Sequence, residues 1–226
     1  MNNILMIWDI DGTLITSKGC GRRAMDRTFY QLFGIKDAFE EIKMSGRLDA
    51  WIVRDAMRLH NIVLEDLTVF FETYCSLLEE EIAEKRPTII IPGIREILQY
   101  TTKLSNIYHA LGTGNIERGA RIKLAPHAVN GYFPVGGFGD RPVERWEIIK
   151  EAVERSSIYY DLTFDRNDIY VIGDTPFDIE CGKKMGVKTI AVATGSHPPH
   201  ELKAHHPNYF FMNLEDREAF MHVFKI

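Results

Sequence analysis

The chain has 226 residues, of which 45% are hydrophobic, 11% aromatic and 26% charged. These values are ordinary for globular proteins, and the length suits one domain or one domain with a modest insertion. Disordered, collagen-like and disulfide-scaffold proteins are therefore excluded. The formal net charge is −5, and no long block of like charge occurs. We therefore expect neither a nucleic-acid nor a membrane partner.

The cysteines and the apolar runs indicate the compartment. Cys20, Cys75 and Cys181 are odd in number and far apart, without metal-type spacing, which favours reduced thiols in the cytoplasm. No apolar run approaches the roughly 18 residues of a membrane span. The sequence leaves the assembly open between a monomer and a small homo-oligomer.

Short apolar runs alternate with amphipathic stretches along most of the chain. The first run is continuously apolar, as in a strand buried on both faces of a parallel sheet. The runs occupy residues 4–8, 107–111, 169–172 and 188–192, with a weaker one at 133–138. This alternation predicts an α/β fold with a Rossmann-like, doubly wound parallel sheet.

Residues 15–88 break the alternation. Their apolar side chains recur at helical spacing in three stripes, which include Met25 and Phe29, then Ile52 and Ala56, then Phe70, Tyr74 and Leu78. We therefore predict a smaller, all-helical domain at 15–88, inserted into an α/β core formed by 1–14 and 89–226. The chain returns to the core through a proline-marked hinge at 86–93.

The first strand ends in two carboxylates. Asp9 and Asp11 are separated by one residue, so both side chains can face one side while Ile10 points away. Gly12 allows a tight turn, and neighbouring N–H groups there can bind an oxyanion. The alternative is plain turn chemistry, because aspartates followed by glycine also form Asx turns.

Two later strands also end in polar residues. Thr113 precedes a helix that starts near Ile116, where a hydroxyl and the helix N-terminus favour an anion; alternatively, Thr113 or Asn115 simply caps that helix. Asp174 follows the strand at 169–172. Thr175 and Asp178 fit a capping box, but this leaves Asp174 unexplained, and a carboxylate there beside Asp9 predicts a Mg²⁺ site.

Together these features resemble the haloacid dehalogenase superfamily of phosphohydrolases. The motifs that carry the resemblance are Asp9-Ile10-Asp11-Gly12-Thr13, Thr113 at a second strand end, and Gly173-Asp174 with Asp178. The resemblance spans nearly the whole chain, and residues 111–115 are similar to the phosphoglycolate-phosphatase-like branch. The helical insert resembles the superfamily's mobile cap. Residues 45–49 resemble its substrate-contacting turn, which implies that Gly46 and Arg47 contact the substrate.

The resemblance implies a role for each motif. Asp9 would be the nucleophile that carries an aspartyl-phosphate. Asp11 would be the general acid and base, with a pKa raised by Asp9 and the phosphate. Mg²⁺ would bind the carboxylates of Asp9 and Asp174 and the backbone carbonyl of Asp11. Asp178 would support these ligands without binding the metal directly. The implied phosphate contacts are Gly12, Thr113, Gly114, Asn115 and Arg141.

One position departs from the superfamily pattern. The resemblance implies a lysine, often before proline, ahead of the helix that leads to the last acidic motif, and this sequence has Arg141 before Pro142. We assign the phosphate-neutralising cation to Arg141, because arginine binds phosphate bidentately. Arg145 and Lys150 are the alternatives.

Asp11 also bears on the reaction. Dehalogenases of the superfamily lack an acid at this position, because a halide leaving group needs no proton. The resemblance therefore implies a Mg²⁺-dependent phosphatase acting on a small phosphorylated metabolite. A sugar-phosphate mutase remains an alternative because mutases share this acid. A non-catalytic module that binds a phosphorylated ligand is the other alternative.

Overall fold

A computed structural model describes residues 2–84 and 88–224, and within these ranges six strands form one parallel sheet. The strands are β1 (Ile4–Trp8), β4 (Ile107–Gly112), β5 (Gly136–Gly137), β6 (Ile169–Gly173), β7 (Lys188–Val192) and β8 (Tyr209–Phe211). Their order across the sheet is β5-β4-β1-β6-β7-β8. The predicted α/β class is confirmed, and β1 lies near the centre of the sheet.

Helices cover both faces of this sheet. They are α4 (Ile94–Thr101), α5 (Glu117–Leu124), α6 (Arg145–Tyr160), α7 (Pro176–Met185), α8 (Pro199–Ala204) and α9 (Arg217–His222), with 3₁₀ turns at Ala125–His127, Asn130–Tyr132 and Arg166–Asp168. Along β1, Met6 and Trp8 join the core formed with α4, α5 and α9. Leu5 and Ile7 join the opposite core, formed with α6 and α7. Both faces of β1 are buried because its side chains alternate between two apolar layers.

Three helices occupy the segment after the first acidic motif: α1 (Cys20–Phe33), α2 (Asp49–Leu59) and α3 (Thr68–Ala83). Their apolar stripes pack into a separate cluster around Phe29, Phe39 and Phe70, which Ile116 also joins. The helical periodicity at 15–88 therefore corresponds to observed helices. None of the helices in the described ranges is long and apolar enough to cross a membrane.

The segment at 15–88 is not wholly helical, which corrects one expectation. Strand β2 (Ile15–Thr16) pairs in antiparallel fashion with β3 (Ile89–Ile90), so two short strands join the ends of the segment. Two-residue strands give no periodicity that a sequence pattern can reveal. The division at residues 14 and 88 stays a prediction, and Pro87 of the predicted hinge lies outside the described residues.

His109 of β4 is a histidine buried in the core. The indole Nε1–H of Trp8 donates to Nδ1 of His109 over 3.1 Å. Since an indole can only donate, the ring proton must be on Nε2, which lies 2.9 Å from the Thr101 hydroxyl. That hydroxyl donates in turn to the carbonyl of Ile97 over 2.8 Å. Burial lowers the pKa of His109 from 6.5 to about 4, so the neutral ring is a structural group.

This lowered pKa predicts a loss of stability in acid. Between pH 6.5 and 4 the unfolded chain binds a proton at His109 that the folded chain excludes, so the free energy of unfolding falls as the pH falls, by up to about 3 kcal/mol. Urea denaturation of wild type and His109→Asn from pH 7.5 to 4 measures the effect, because the variant lacks this term. The exposed His200→Asn is the control. A constant difference between wild type and His109→Asn across this range would contradict the assignment.

Candidate active site

The carboxyl ends of the three central strands bring the first, second and last motifs together. Asp9 follows β1, Thr113 follows β4 and Asp174 follows β6, and all three are buried. A cavity of about 720 Å³ lies between this edge of the sheet and helices α1–α3. Parallel strands place their following residues at one edge, which is where α/β proteins bind ligands.

The floor of the cavity is a cluster of acids. Asp9, Asp174 and Asp178 each offer a carboxylate oxygen, and these oxygens all lie within 4.8 Å of one another. Burial, with the charges of Asp178 and Asp11, raises the pKa of Asp9 to about 7. Burial and the charge of Asp9 raise the pKa of Asp174 well above its ordinary value. The ionised forms of these two carboxylates are therefore disfavoured by burial and by the neighbouring negative charge.

Two glycines make room for the Asp174 carboxylate. A Cβ on Gly12, whose φ is +89°, would lie 2.4 Å from Asp174 Oδ2, and one on Gly195 would lie 1.6 Å from the same atom. The Thr13 hydroxyl donates to Oδ1 over 3.1 Å. Buried, crowded carboxylate oxygens are the hard ligands that a divalent cation such as Mg²⁺ prefers, so these residues fit the implied metal.

Asp178 has two partners that fix its position. The N–H and hydroxyl of Thr175 donate to Oδ2 over 3.0 and 2.7 Å, as expected for the capping box. Nη2 of Arg145 donates to Oδ1 over 2.6 Å and lies 3.6 Å from Oδ1 of Asp9. The Arg145 side chain is only 9% exposed, so its guanidinium is a buried cation beside the predicted nucleophile.

The structure does not bring Arg141 to this site, which corrects the sequence-based assignment. Its side chain is 66% exposed and donates to Glu151 over 3.0 Å. Arg141 lies in the turn before α6 and points to solvent, whereas Arg145 is the first residue of α6 and its guanidinium contacts Asp178 and Asp9. Lys150, the other alternative, is also exposed and lies 3.6 Å from Glu154.

Asp11 faces a different group from Asp9. Nζ of Lys123 and Nδ2 of Asn115 donate to its Oδ2 over 2.7 and 2.8 Å. Burial raises the pKa of Asp11, but the charge and hydrogen bond of Lys123 and the hydrogen bond of Asn115 outweigh it and hold the pKa below its ordinary value. The expectation of a raised pKa is therefore wrong for this state of the protein. The Asp11 carboxylate is also outside the acid cluster.

Lys123 is a site residue that the sequence reasoning missed. It is 5% exposed and also donates to Oδ1 of Asn115 over 2.6 Å. Within α5 it lies on the buried face with Ala120 and Leu124. A lysine on the apolar stripe of a short helix was the available signal, because a buried lysine needs a partner carboxylate.

Thr113 and Asn115, which follow β4, form hydrogen bonds with nearby residues. The amide of Asn115 donates to the Thr113 hydroxyl oxygen over 2.8 Å, and the Thr113 side chain offsets part of the rise in the pKa of Asp9. Neither residue caps α5, since Asp49 Oδ2 accepts from Ile116 N–H over 3.0 Å. Gly12 lines the cavity, but its N–H donates to the carbonyl of Ile15.

The loop with Gly46 and Arg47 closes one side of the cavity. Nη1 of Arg145 donates to the Gly46 carbonyl over 2.9 Å, and Asp49 N–H donates to the Gly114 carbonyl over 2.8 Å. A Cβ on Gly114 would lie 2.1 Å from the Arg47 carbonyl oxygen, so the backbones touch. Arg47 lines the cavity, but its guanidinium donates to Asp55.

The family described as haloacid dehalogenase-like hydrolase matches residues 6–192. The chain therefore belongs to this family of hydrolases, and the resemblance drawn from the motifs is confirmed. No curated protein matches the sequence.

Solved structures share the fold over nearly their whole length. A predicted phosphatase from Clostridium acetobutylicum superposes with a TM-score of 0.70 at 19% identity, covering 100% of both chains. A candidate β-phosphoglucomutase from Bacteroides vulgatus gives 0.71 at 19% identity, covering 99% of this chain and 89% of that one. A variant of CbbY from Rhodobacter sphaeroides, in complex with xylulose-(1,5)-bisphosphate, gives 0.72 at 16% identity, covering 95% and 96%. At such identities the likeness shows the fold alone.

The different positions of the two arginines give a prediction. Arg145→Gln leaves the buried Asp178 and Asp9 without their cation, so the free energy of unfolding at pH 8 in EDTA should fall by about 3 kcal/mol or more. Arg141→Gln removes only an exposed pair and should change it by less than about 0.5 kcal/mol. Urea denaturation of both variants checks this. Equal losses in the two variants would show that Arg145 does not neutralise the cluster.

Proposed function

We propose that this chain is a Mg²⁺-dependent phosphatase that hydrolyses a small phosphorylated metabolite through a covalent intermediate on Asp9. The main observation in support is the pair of carboxylates with separate partners at one strand end. Asp9 lies beside Arg145 and Asp174 at the floor of the cavity, while Asp11 faces Lys123. These separate surroundings support attack by Asp9 and proton transfer by Asp11.

In this mechanism an oxygen of Asp9 attacks phosphorus, and the bond from phosphorus to the ester oxygen breaks. Asp11 gives its proton to that oxygen, which leaves as an alcohol. Asp11 then takes a proton from water, whose oxygen attacks the phosphoryl group and releases phosphate and the Asp9 carboxylate. Thr113 and Arg145 hydrogen-bond the phosphoryl oxygens, and each such donor contributes roughly 10² to 10³ in rate.

Both carboxylates must change their proton affinity when the ligands bind. A cation held by Asp9, Asp174 and the carbonyl of Asp11 would neutralise the charge between nucleophile and phosphate. Its charge lowers the pKa of Asp9, so that the nucleophile is ionised. The phosphate dianion raises the pKa of Asp11 against the effect of Lys123, so that a proton becomes available for the leaving oxygen.

We also propose that residues 15–88 act as a cap over this site. The loop with Gly46 and Arg47 touches the core at Gly114 and Arg145, so it separates the cavity from solvent on that side. Exclusion of water strengthens every electrostatic contact at the reacting phosphate. Gly46 and Arg47 are placed to contact the substrate from the cap.

Phosphatase activity is tested with 4-nitrophenyl phosphate and excess MgCl₂. We expect inorganic phosphate release by wild type and by Arg141→Gln, and a loss of about 10³-fold or more in kcat for Asp9→Asn, because the amide cannot replace the nucleophile. Thermal unfolding of Asp9→Asn controls for folding. Wild-type turnover by the variant would contradict the assignment of Asp9.

Two other outcomes would identify the alternatives. The chain shares its fold with a candidate β-phosphoglucomutase. Transfer of phosphate between two positions of a sugar phosphate, without net release of phosphate, would identify a mutase. No turnover on any phosphoester, together with stabilisation by a phosphorylated ligand, would identify a binding module.

The acid cluster predicts the effect of the metal on stability. In EDTA at pH 8, Asp174→Asn should be more stable than wild type by about 1 kcal/mol or more, because one of three crowded charges is gone. Excess MgCl₂ should raise the melting temperature of wild type but not that of the variant, and EDTA should abolish phosphatase activity. Equal stabilisation of both proteins by MgCl₂ would place the metal elsewhere.

A further inference from the structure

A tyrosine hydroxyl at the inner wall of the cavity has no partner. Tyr74 of α3 lines the cavity and is fully buried, and no hydrogen-bond partner for its oxygen lies within the described parts of the chain. Oδ1 of Asp11, on the same cavity, is likewise buried without a partner. Buried tyrosine hydroxyls normally find a partner, so this oxygen indicates a ligand group.

Two glycines lie close to this hydroxyl. A Cβ on Gly21 of α1 would lie 3.6 Å from the Tyr74 oxygen and 3.3 Å from Nζ of Lys123. A Cβ on Gly119 of α5 would lie 3.7 Å from the same tyrosine oxygen. A side chain on either helix would therefore begin to fill the place beside the hydroxyl.

The charges around Tyr74 favour a neutral ligand group. The ammonium of Lys123 is already paired with Asp11, and burial raises the pKa of the Asp49 carboxyl to about 7. Burial and the charges of Asp49 and Asp11 raise the pKa of Tyr74 well above its ordinary value, so the phenol keeps its proton and can donate. Arg22 also lines the cavity, but its guanidinium donates to the carbonyls of Phe39 and Ile42.

We propose that Tyr74 and Asp49 form a subsite for a hydroxyl group on the alcohol part of the substrate, which makes the substrate a phosphate ester of a small polyol or sugar. This proposal rests on the proposed function, since Asp11 protonates the ester oxygen and the alcohol must lie on the Asp11 side of the cavity. On that side, the Tyr74 hydroxyl donates a hydrogen bond to a substrate hydroxyl, and the Asp49 carboxyl accepts one from a substrate hydroxyl. Lys123 is paired with Asp11 and the Arg22 guanidinium with backbone carbonyls, so neither cation is left to bind a second phosphate or a carboxylate.

The test compares substrates with and without hydroxyl groups. Glycerol 3-phosphate and propyl phosphate differ only in two hydroxyls, and glucose 6-phosphate extends the comparison to a sugar. We expect wild type to prefer at least one hydroxylated ester over propyl phosphate in kcat/KM by tenfold or more. Tyr74→Phe should reduce that preference about tenfold, as one lost hydrogen bond predicts, and should leave propyl phosphate hydrolysis unchanged.

Stability separates a ligand contact from a structural role. Because the Tyr74 hydroxyl has no partner among residues 2–84 and 88–224, Tyr74→Phe should keep or raise the melting temperature. Tyr160→Phe is the matched control: its hydroxyl donates to the His109 carbonyl over 2.9 Å, so this variant should lose stability and keep the wild-type substrate preference.

Each of three results would overturn the subsite. They are a wild-type enzyme that hydrolyses propyl phosphate as well as both hydroxylated esters, equal losses on all esters in Tyr74→Phe, and an unchanged preference in that variant. A wild-type protein that releases phosphate from no ester, including 4-nitrophenyl phosphate, would contradict the proposed function instead. The two failures are therefore distinguishable.

Discussion

Crowding of buried negative charge is the constraint on which the rest of this site depends. Asp9, Asp174 and Asp178 hold oxygens within 4.8 Å of one another, and among the described residues Arg145 is the only cation paired with them. Like charges at this distance in a buried place raise each other's pKa. The folded chain thus carries an electrostatic cost at the end of its central strands that a bound cation would offset.

Arg145 connects this charge cluster to the helical segment. Its guanidinium bonds Asp178 and, on the other side, the Gly46 carbonyl. Gly46, whose φ is +70°, leaves no room for a Cβ against Phe177, so the loop approaches the core closely. A change in the position of this loop would therefore change the contacts of Arg145, and under the proposed function this would couple closure of the cavity to the charge of Asp9.

The sequence predicted those features that depend on local pattern. The strand at 4–8 was predictable because it is buried on both faces, and Asp9 and Asp174 because parallel strands bring their ends together. The choice between Arg141 and Arg145 could not be predicted from the sequence, because it depends on which of the two side chains is directed toward Asp178 at the start of α6. Lys123 was within reach of sequence reasoning, whereas the short pair β2–β3 and the unpartnered hydroxyl of Tyr74 follow only from tertiary packing.

The pKa values of the two carboxylates in the proposed reaction are shifted in opposite directions, and this would link the binding of their ligands. Without ligands the pKa of Asp9 is raised to about 7, and Lys123 and Asn115 hold the pKa of Asp11 below its ordinary value. The proposed reaction needs the reverse, an ionised Asp9 and a protonated Asp11. A cation at Asp9 and Asp174 favours the first change, and a phosphate dianion near Asp11 favours the second. In the proposed reaction the two ligands would also attract each other, so binding of one would promote binding of the other, and the required protonation state would form only when both are present.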